Sequence, residues 1–275
     1  MNDMTRGQER MHENLPPSIA RAIRQIVLEQ SARARVGHIG SNLCVSDIVS
    51  VVYCRLLTLR TGNQRDRFVL SKGHAALALY AALHCLGRLS REQLDSFCGD
   101  GTLLGVHPQH QLDGVDFSTG SLGMGMSFGA GAALAARLQN SGRHVYLLLS
   151  DAECNEGSTW EGATMAAHHK LDNVTAFVDV NGQQALGYTR DVMGACATVE
   201  RWTAVGWDAL VVDGHDEDAM AAAALQPRDG RPRILLCQTV FGRGVSFMEG
   251  KIAWHYLPMT DEQFSQAVDE IKHAP

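Results

Sequence analysis

Two hydrophobic rhythms alternate along this chain. In PSIARAIRQIVLEQSARA, Ile19, Ala22, Ile23, Ile26 and Val27 recur at helical spacing, which predicts an amphipathic helix starting at Ser18. SDIVSVVYCRLL predicts a second helix with Ser46 as its N-cap. A short strand, RFVLSKG, then precedes a helix, AALALYAALHCLG, that Gly87 ends. LSREQLDSFC reads as a Ser-capped helix with Glu92 in its first turn. Residues 99–120 carry few periodic hydrophobes and many Gly, His and Asp, and a loop of that length in a compact domain is usually functional. From Ser121 the order is regular: helix MGMSFGAGAALAARLQN, strand HVYLLLS, helix WEGATMAAHHK, strand VTAFVDV, a helical stretch at 197–205, strand WDALVVD, helix DEDAMAAAALQ, strand RILLCQT. Strands that are apolar without interruption and alternate with helices call for a parallel sheet buried on both faces. The expected fold class is α/β: one doubly wound, mostly parallel sheet with helices on both faces. Residues 1–15 are expected to be a flexible N-terminal tail and 16–275 a single domain.

Composition narrows the partners. With 275 residues, 45% of them hydrophobic, the chain can bury one large core. A net charge of −6, and no Lys/Arg run longer than two, argue against nucleic acid or an anionic membrane surface. A local phosphate site stays open. The polar N-terminus lacks the apolar segment of a signal peptide, and no apolar run reaches transmembrane length. The seven cysteines show no CxxC pairing, and several sit in apolar runs such as RILLCQT. Reduced core thiols in a cytoplasmic protein are the expectation.

The candidate chemistry lies where two apolar runs end. Asp151 follows HVYLLLS and Asn181 follows VTAFVDV, with one helical crossover between them. In parallel sheets, ligands sit outside the C-terminal strand ends, and right-handed crossovers put both of these ends on one edge. A carboxylate and an amide oxygen there are hard donors suited to Mg²⁺ or Ca²⁺. A helix beginning near Glu156–Gly157 would add backbone N–H groups facing an anion. Taken alone, Asp151 also reads as a turn residue and helix cap.

The run from Ser150 to Gly182 resembles the thiamine diphosphate motif, a GDG followed by an Asn about thirty residues on, the span of a βαβ unit. EGSTWEGATMAAHHKLDN is similar, more narrowly, to the version found in transketolases. GHIGSNLCVSD, DRFVLSKGHAALALYAAL, GVHPQH, DFSTGSLGMGMSFGAGAALA and FGRGVSFMEGKIAWH resemble further transketolase segments in the same order, from about Ser18 to Pro258. The resemblance implies a thiamine diphosphate-binding fold of the diphosphate (PP) type. By the same resemblance, Asp151, Asn181 and the main-chain oxygen of Gln183 would hold the metal. Ala152 would offer backbone to the diphosphate if its φ is negative, with Glu153 in the same cofactor-binding stretch. Gly120, Leu122 and Gly123 would approach the aminopyrimidine, and His74 the cofactor. His38 and His107 would surround the reacting carbons of the donor, with His255 as a secondary catalytic candidate. His168 and His169 read as structural.

The sequence departs from the family pattern in places. Ser150 and Ala152 replace glycines, Ser121 replaces a proline, and Tyr256 and Leu257 alter a WHGKAP-like segment. In transketolases the glutamate that activates the aminopyrimidine lies in a following pyrimidine-binding domain, and Glu153, Glu156 and Glu161 are poorly placed to replace it. The chain is therefore expected to be the N-terminal subunit of a split transketolase. Its expected partner is a C-terminal subunit carrying the pyrimidine domain and that glutamate, in an α₂β₂ heterotetramer. The expected reaction moves a two-carbon ketol unit from a ketose phosphate donor to an aldehyde or a specialised acceptor. A 2-oxo-acid dehydrogenase α-type subunit, which would release CO₂, and a non-catalytic thiamine-fold partner are the alternatives.

Overall fold

The computed structural model describes residues 18–58 and 64–273; the tail expected over residues 1–15 lies outside them. Among the described residues, seven strands occur in chain order: β1 (Arg67–Leu70), β2 (Val145–Ser150), β3 (Val174–Val180), β4 (Gln183–Gln184), β5 (Gly187–Tyr188), β6 (Asp208–Asp213) and β7 (Arg233–Gln238). Five of them form one parallel sheet in the order β1-β2-β3-β7-β6, while β4 and β5 make a small antiparallel hairpin. The apolar strands are two interleaved faces. Tyr146 and Leu148 of β2 join Phe68, Leu70, Phe177, Leu235 and Cys237 in one core. Val145, Leu147 and Leu149 join Val69, Val174, Ala176, Val178, Ile234 and Leu236 in another. Because successive side chains point to opposite faces, a strand covered on both sides must be apolar at every position.

Helices supply both covers. The first core is closed by α1 (Ile19–Ala34), α2 (Ile39–Cys44), α3 (Ser46–Val51), α4 (Ala76–Cys85), α10 (Glu217–Leu225) and α11 (Asp261–His273). Against the second lie α6 (Met124–Leu138) and α7 (Gly157–His168), with Trp202 and Trp207. The described residues also include three short α-helices: α5 (Arg91–Leu94), α8 (Thr189–Val192) and α9 (Val199–Ala204). Ser90 caps α5 through a full capping box with Gln93, and Gly87 after α4 is left-handed, as the pattern predicts. All seven cysteines are free thiols. Among the described residues no helix is long and apolar enough to cross a membrane.

One local expectation changes. Ser46 is not an N-cap: α2 runs almost directly into α3, so the Ser46 hydroxyl donates to the carbonyl of Asn42 (3.0 Å) in the preceding turn. All six residues of α2 are buried, which leaves it no polar face and therefore no readable period. Beyond the predicted elements lie the β4–β5 hairpin and α11, whose buried Ala267 and Ile271 seal the first core.

The site follows from the strand order. Strands β1, β2 and β3 lie side by side, but the chain then crosses to the far edge for β6 and returns to place β7 beside β3. A cleft lies where open α/β sheets bind ligands, at the C-terminal strand ends, here those of β2 and β3, and is lined by Asp151, Asn181 and Gln183.

Candidate active site at the sheet edge

Asp151 leaves β2 in helical conformation (φ −63°), with its carboxylate buried. Oδ1 accepts the Ala152 N–H (2.9 Å), and Oδ2 accepts the Gly182 N–H (2.9 Å) and the Thr189 hydroxyl (3.0 Å). Gly182 can aim that N–H because its φ is +73°, a conformation costly for other residues. Asn181 donates its amide N–H to Asp179 (2.7 Å) and accepts the Gln183 N–H on Oδ1 (2.9 Å). An ionised carboxylate has about four acceptor sites and an amide oxygen two, so each side chain keeps capacity for one more partner. Beside them Gln183 Oε1 is buried with no partner. All three residues line one cleft of about 340 Å³, with Thr189 and Arg190.

Burial, with the neighbouring Asp179 charge, pushes the Asp151 carboxyl up to about 6, and a bound cation would reverse that. Among the described residues no group of three or more His, Cys, Asp or Glu forms a metal cage, so a cation here would rest on a mixed oxygen set. Spare hard oxygens, an orphaned acceptor and a desolvated carboxylate fit a small hard cation held jointly with an anionic ligand.

The replaced glycines fit. Ala152 opens a 3-10 turn (Ala152–Asn155) and is not among the residues with positive φ, which meets the condition set by its Cβ. The Ser150 hydroxyl is buried and accepts the Glu153 N–H (3.3 Å). Helix α7 starts at Gly157, with Glu156 in the N-cap position, where the sequence predicts it. Glu153 itself is fully buried and turned into the fold. Its carboxylate accepts the Ser71 hydroxyl, the Gly123 N–H (2.9 Å) and the Ser150 N–H (2.9 Å). Glu153 thereby ties the ends of β1 and β2 to the turn of Gly120, Leu122 and Gly123. Gly123 has φ +85°, and a Cβ there would come within 2.5 Å of Ser158 Oγ. Gly120 packs on the His107 ring, which a Cβ would meet at 3.3 Å. The half-buried Leu122 lies between them, just before α6.

Three of the four expected histidines form one cluster. Ring centroids are 5.4 Å apart for His38–His74, 5.1 Å for His38–His255 and 5.5 Å for His74–His255. His38 adopts φ +60° and donates its backbone N–H to the His255 carbonyl (3.0 Å). Asn42 donates to the carbonyls of His38 (2.8 Å) and His74 (3.3 Å), and His38 Nδ1 is buried without a partner. Burial first, and neighbouring positive groups second, hold all three imidazoles below their usual range, His255 at about 4. They are therefore neutral near pH 7. His107 is exposed at the rim, its carbonyl accepting the Tyr80 hydroxyl (3.2 Å). The altered Tyr256 lies on the surface, its hydroxyl donating to the Ala185 carbonyl (3.1 Å). His168 and His169 end α7, exposed and outside this cluster.

The sequence reading missed the link between the two groups. Lys72, two residues before His74, and Asp179, two before Asn181, form an ion pair with both side chains fully buried. Burial opposes both charges, but their proximity outweighs it, raising Lys72 and lowering Asp179. Thr239 and Cys44 also donate to Asp179, Cys44 at 3.1 Å. The signal was present: an Asp inside the apolar VTAFVDV and a Lys just after RFVL, neither of which a buried strand tolerates without a partner.

Residues 16–274 match the family model described as the transketolase thiamine diphosphate-binding domain. The chain belongs to the transketolase family. Thiamine diphosphate is accordingly the cofactor of its domain, and the enzyme class is that of a transferase. It is 37% identical to the 6-deoxy-6-sulfo-D-fructose transketolase subunit SqwG of Clostridium sp. (strain MSTE9), covering 92% of this chain and 94% of that one. With an apulose-4-phosphate transketolase subunit of Phocaeicola vulgatus it shares 37% identity, over 90% of each chain. The transketolase of Campylobacter jejuni superposes with a TM-score of 0.86 at 29% identity, over 92% of this chain and 42% of that one. The chain thus spans about two fifths of that solved transketolase.

Proposed function

We propose that this transketolase-family chain is the diphosphate-binding subunit of a two-component enzyme that transfers a two-carbon ketol unit from a ketose phosphate to an aldehyde or a specialised acceptor. The observation that carries this reading is a cradle of spare oxygens at Asp151 and Asn181, backed by the buried Lys72–Asp179 pair, in the same chain as a cluster of neutral imidazoles, His38, His74 and His255. Asp151, Asn181 and the Gln183 carbonyl would hold Mg²⁺ or Ca²⁺, with the Ala152 backbone toward the diphosphate. The Gly120–Gly123 turn, held by Glu153, would receive the aminopyrimidine. When bound, thiamine diphosphate supplies the electron sink for carbon–carbon cleavage. His38, His74, His107 and His255 would bind donor hydroxyls and relay a proton.

Two-component assembly is supported by relatives that are themselves named as subunits. The chain covers 94% and 90% of relatives named as subunits, but only 41% of human transketolase. In this reading a pyrimidine domain and its glutamate would come from a C-terminal partner subunit in an α₂β₂ complex. Those two relatives are named for 6-deoxy-6-sulfo-D-fructose and apulose-4-phosphate, which favours a specialised sugar here too.

Calorimetry of thiamine diphosphate binding with Mg²⁺, on the chain alone and with its partner subunit, tests the reading. Binding that tightens with the partner supports a shared active site. No binding by a folded complex would put the non-catalytic alternative first. Turnover of a ketose donor without CO₂ release separates the reading from a 2-oxo-acid dehydrogenase.

A further inference from the structure

Asp179 and Lys72 form an ion pair with both side chains at 0% exposure, at the sheet end where the proposed metal site lies. A buried ion pair is weak ground for stability, because a well-packed apolar pair of similar volume usually serves as well or better. Its position gives it another use. One oxygen of Asp179, Oδ2, accepts both the Lys72 ammonium and the Asn181 Nδ2–H (2.7 Å). The same oxygen accepts the Cys44 thiol (3.1 Å), and the other accepts the Thr239 hydroxyl.

An asparagine amide has two faces that differ only in O and N, and its hydrogen-bond network decides which way each points. At Asn181 a carboxylate stands on one side and the Gln183 N–H (2.9 Å) on the other. A flipped amide would set oxygen against carboxylate and N–H against N–H. Of these two locks the carboxylate is the stronger, because charge-assisted hydrogen bonds are roughly twice as strong as neutral ones.

We propose that the Lys72–Asp179 pair is a positioning device: it pins the Asn181 amide so that its oxygen, not its nitrogen, faces the metal. Lys72 and Thr239 hold the Asp179 carboxylate in place, Asp179 claims the Asn181 N–H, and Asn181 Oδ1 is left for the cation. This inference rests on the metal reading given under the proposed function.

The test uses Mn²⁺ as the probe, titrated into the full chain with thiamine diphosphate, with and without the partner subunit, and read from the electron paramagnetic resonance signal of free Mn²⁺. Asp179→Asn, whose own N–H₂ can face Asn181, should weaken Mn²⁺ binding by about 10- to 100-fold, the usual cost of losing an outer-shell partner. The exchanged pair Asp179→Asn/Asn181→Asp should recover most of that loss. A carboxylate at 181 has oxygen on both sides and cannot be misoriented, and the swap conserves charge. If Asp179 only fills space, Asp179→Asn leaves Mn²⁺ binding unchanged and there is no loss to recover. Unchanged binding in Asp179→Asn, or no recovery in a folded exchanged pair, overturns the proposal while leaving the metal site standing. If the wild-type complex binds no Mn²⁺, the metal reading itself falls and the proposal with it. Should Asp179→Asn fail to fold, hydrogen exchange at the Asn181 side-chain amide of the wild-type chain decides instead. Slowed exchange supports the pin, and exchange as fast as that of an exposed asparagine overturns it.

Discussion

The two ends of the parallel sheet both bury polar side chains, and they use them in opposite ways. At the N-terminal end, Arg233 is 2% exposed. Its guanidinium donates to Asp208 and to the carbonyls of Ala223, Gln226 and Pro227. Arg228 donates to the Val174 carbonyl and the Thr175 hydroxyl, and His144 bonds the same hydroxyl (2.9 Å). These groups stop α10 and close the bottom of the sheet. At the C-terminal end, Asp151 and Asn181 keep spare acceptor capacity, and Gln183 Oε1 and His38 Nδ1 have no partner. Burial and polarity are alike at the two ends. What separates these groups is that Arg233 and Arg228 spend their donors on the fold, while Asp151, Asn181, Gln183 and His38 keep capacity.

That contrast can be broken experimentally. The largest effect is expected at Asp151→Ala, which should abolish metal-dependent cofactor binding by the assembled complex while the fold persists. Calorimetry with a parallel thermal melt checks it, and retained binding would remove Asp151 from the metal set. At the opposite end, Arg233→Met should cost about 3 kcal/mol in urea unfolding, because it strips a partner from Asp208 and from the α10 carbonyls. Cofactor affinity of the folded fraction should not change. If it does, the two ends are not independent.

His107→Ala sharpens the reading of the rim. Turnover should fall by about 100-fold, the scale of a lost proton-transfer group, with far less change in cofactor affinity. An unchanged rate would make His107 structural.

A smaller effect comes from pH. His38, His74 and His255 sit below their usual range when folded, His255 at about 4, but titrate near 6.5 in the unfolded chain. Between about pH 6.5 and 4 the unfolded state binds more protons, so their contribution is complete above that window and is lost as pH falls through it. Asp151, raised to about 6, acts with the opposite sign, as do the raised Glu153 and Glu217, while His144, lowered to about 3, adds to the histidines. Urea midpoints should therefore drop with acidification across that window, and His255→Gln should flatten the drop. The smallest change is expected for Ser150→Gly, about 1 kcal/mol of stability from the lost bond to Glu153, with cofactor affinity nearly unaffected. A large gain in affinity would show that the Ser150 side chain obstructs the diphosphate.

Much of this was legible in the residues. The strand–helix order from Ser121 to the end of β7 reads directly, because strand and helix periods are local properties of the side chains. The ends of β2 and β3 were legible too, which placed Asp151 and Asn181 on one edge of the sheet. Helix α2 was not, because all six of its residues are buried and it has no polar face to set a rhythm. Nor was the inward role of Glu153, since only the fold shows that Ser71 and Gly123 meet its carboxylate.

The sequence by itself therefore determined the layered α/β architecture and the positions of the charged strand ends, through patterns that span a few residues. Only the tertiary structure decided which of those residues act together. His38 and His255 meet across most of the chain, and Lys72 reaches Asp179 from 107 residues away. The cause is physical: crossover connections and helix packing choose the neighbours of a buried polar group, and those neighbours decide whether its hydrogen bonds are spent on the fold or kept for a ligand.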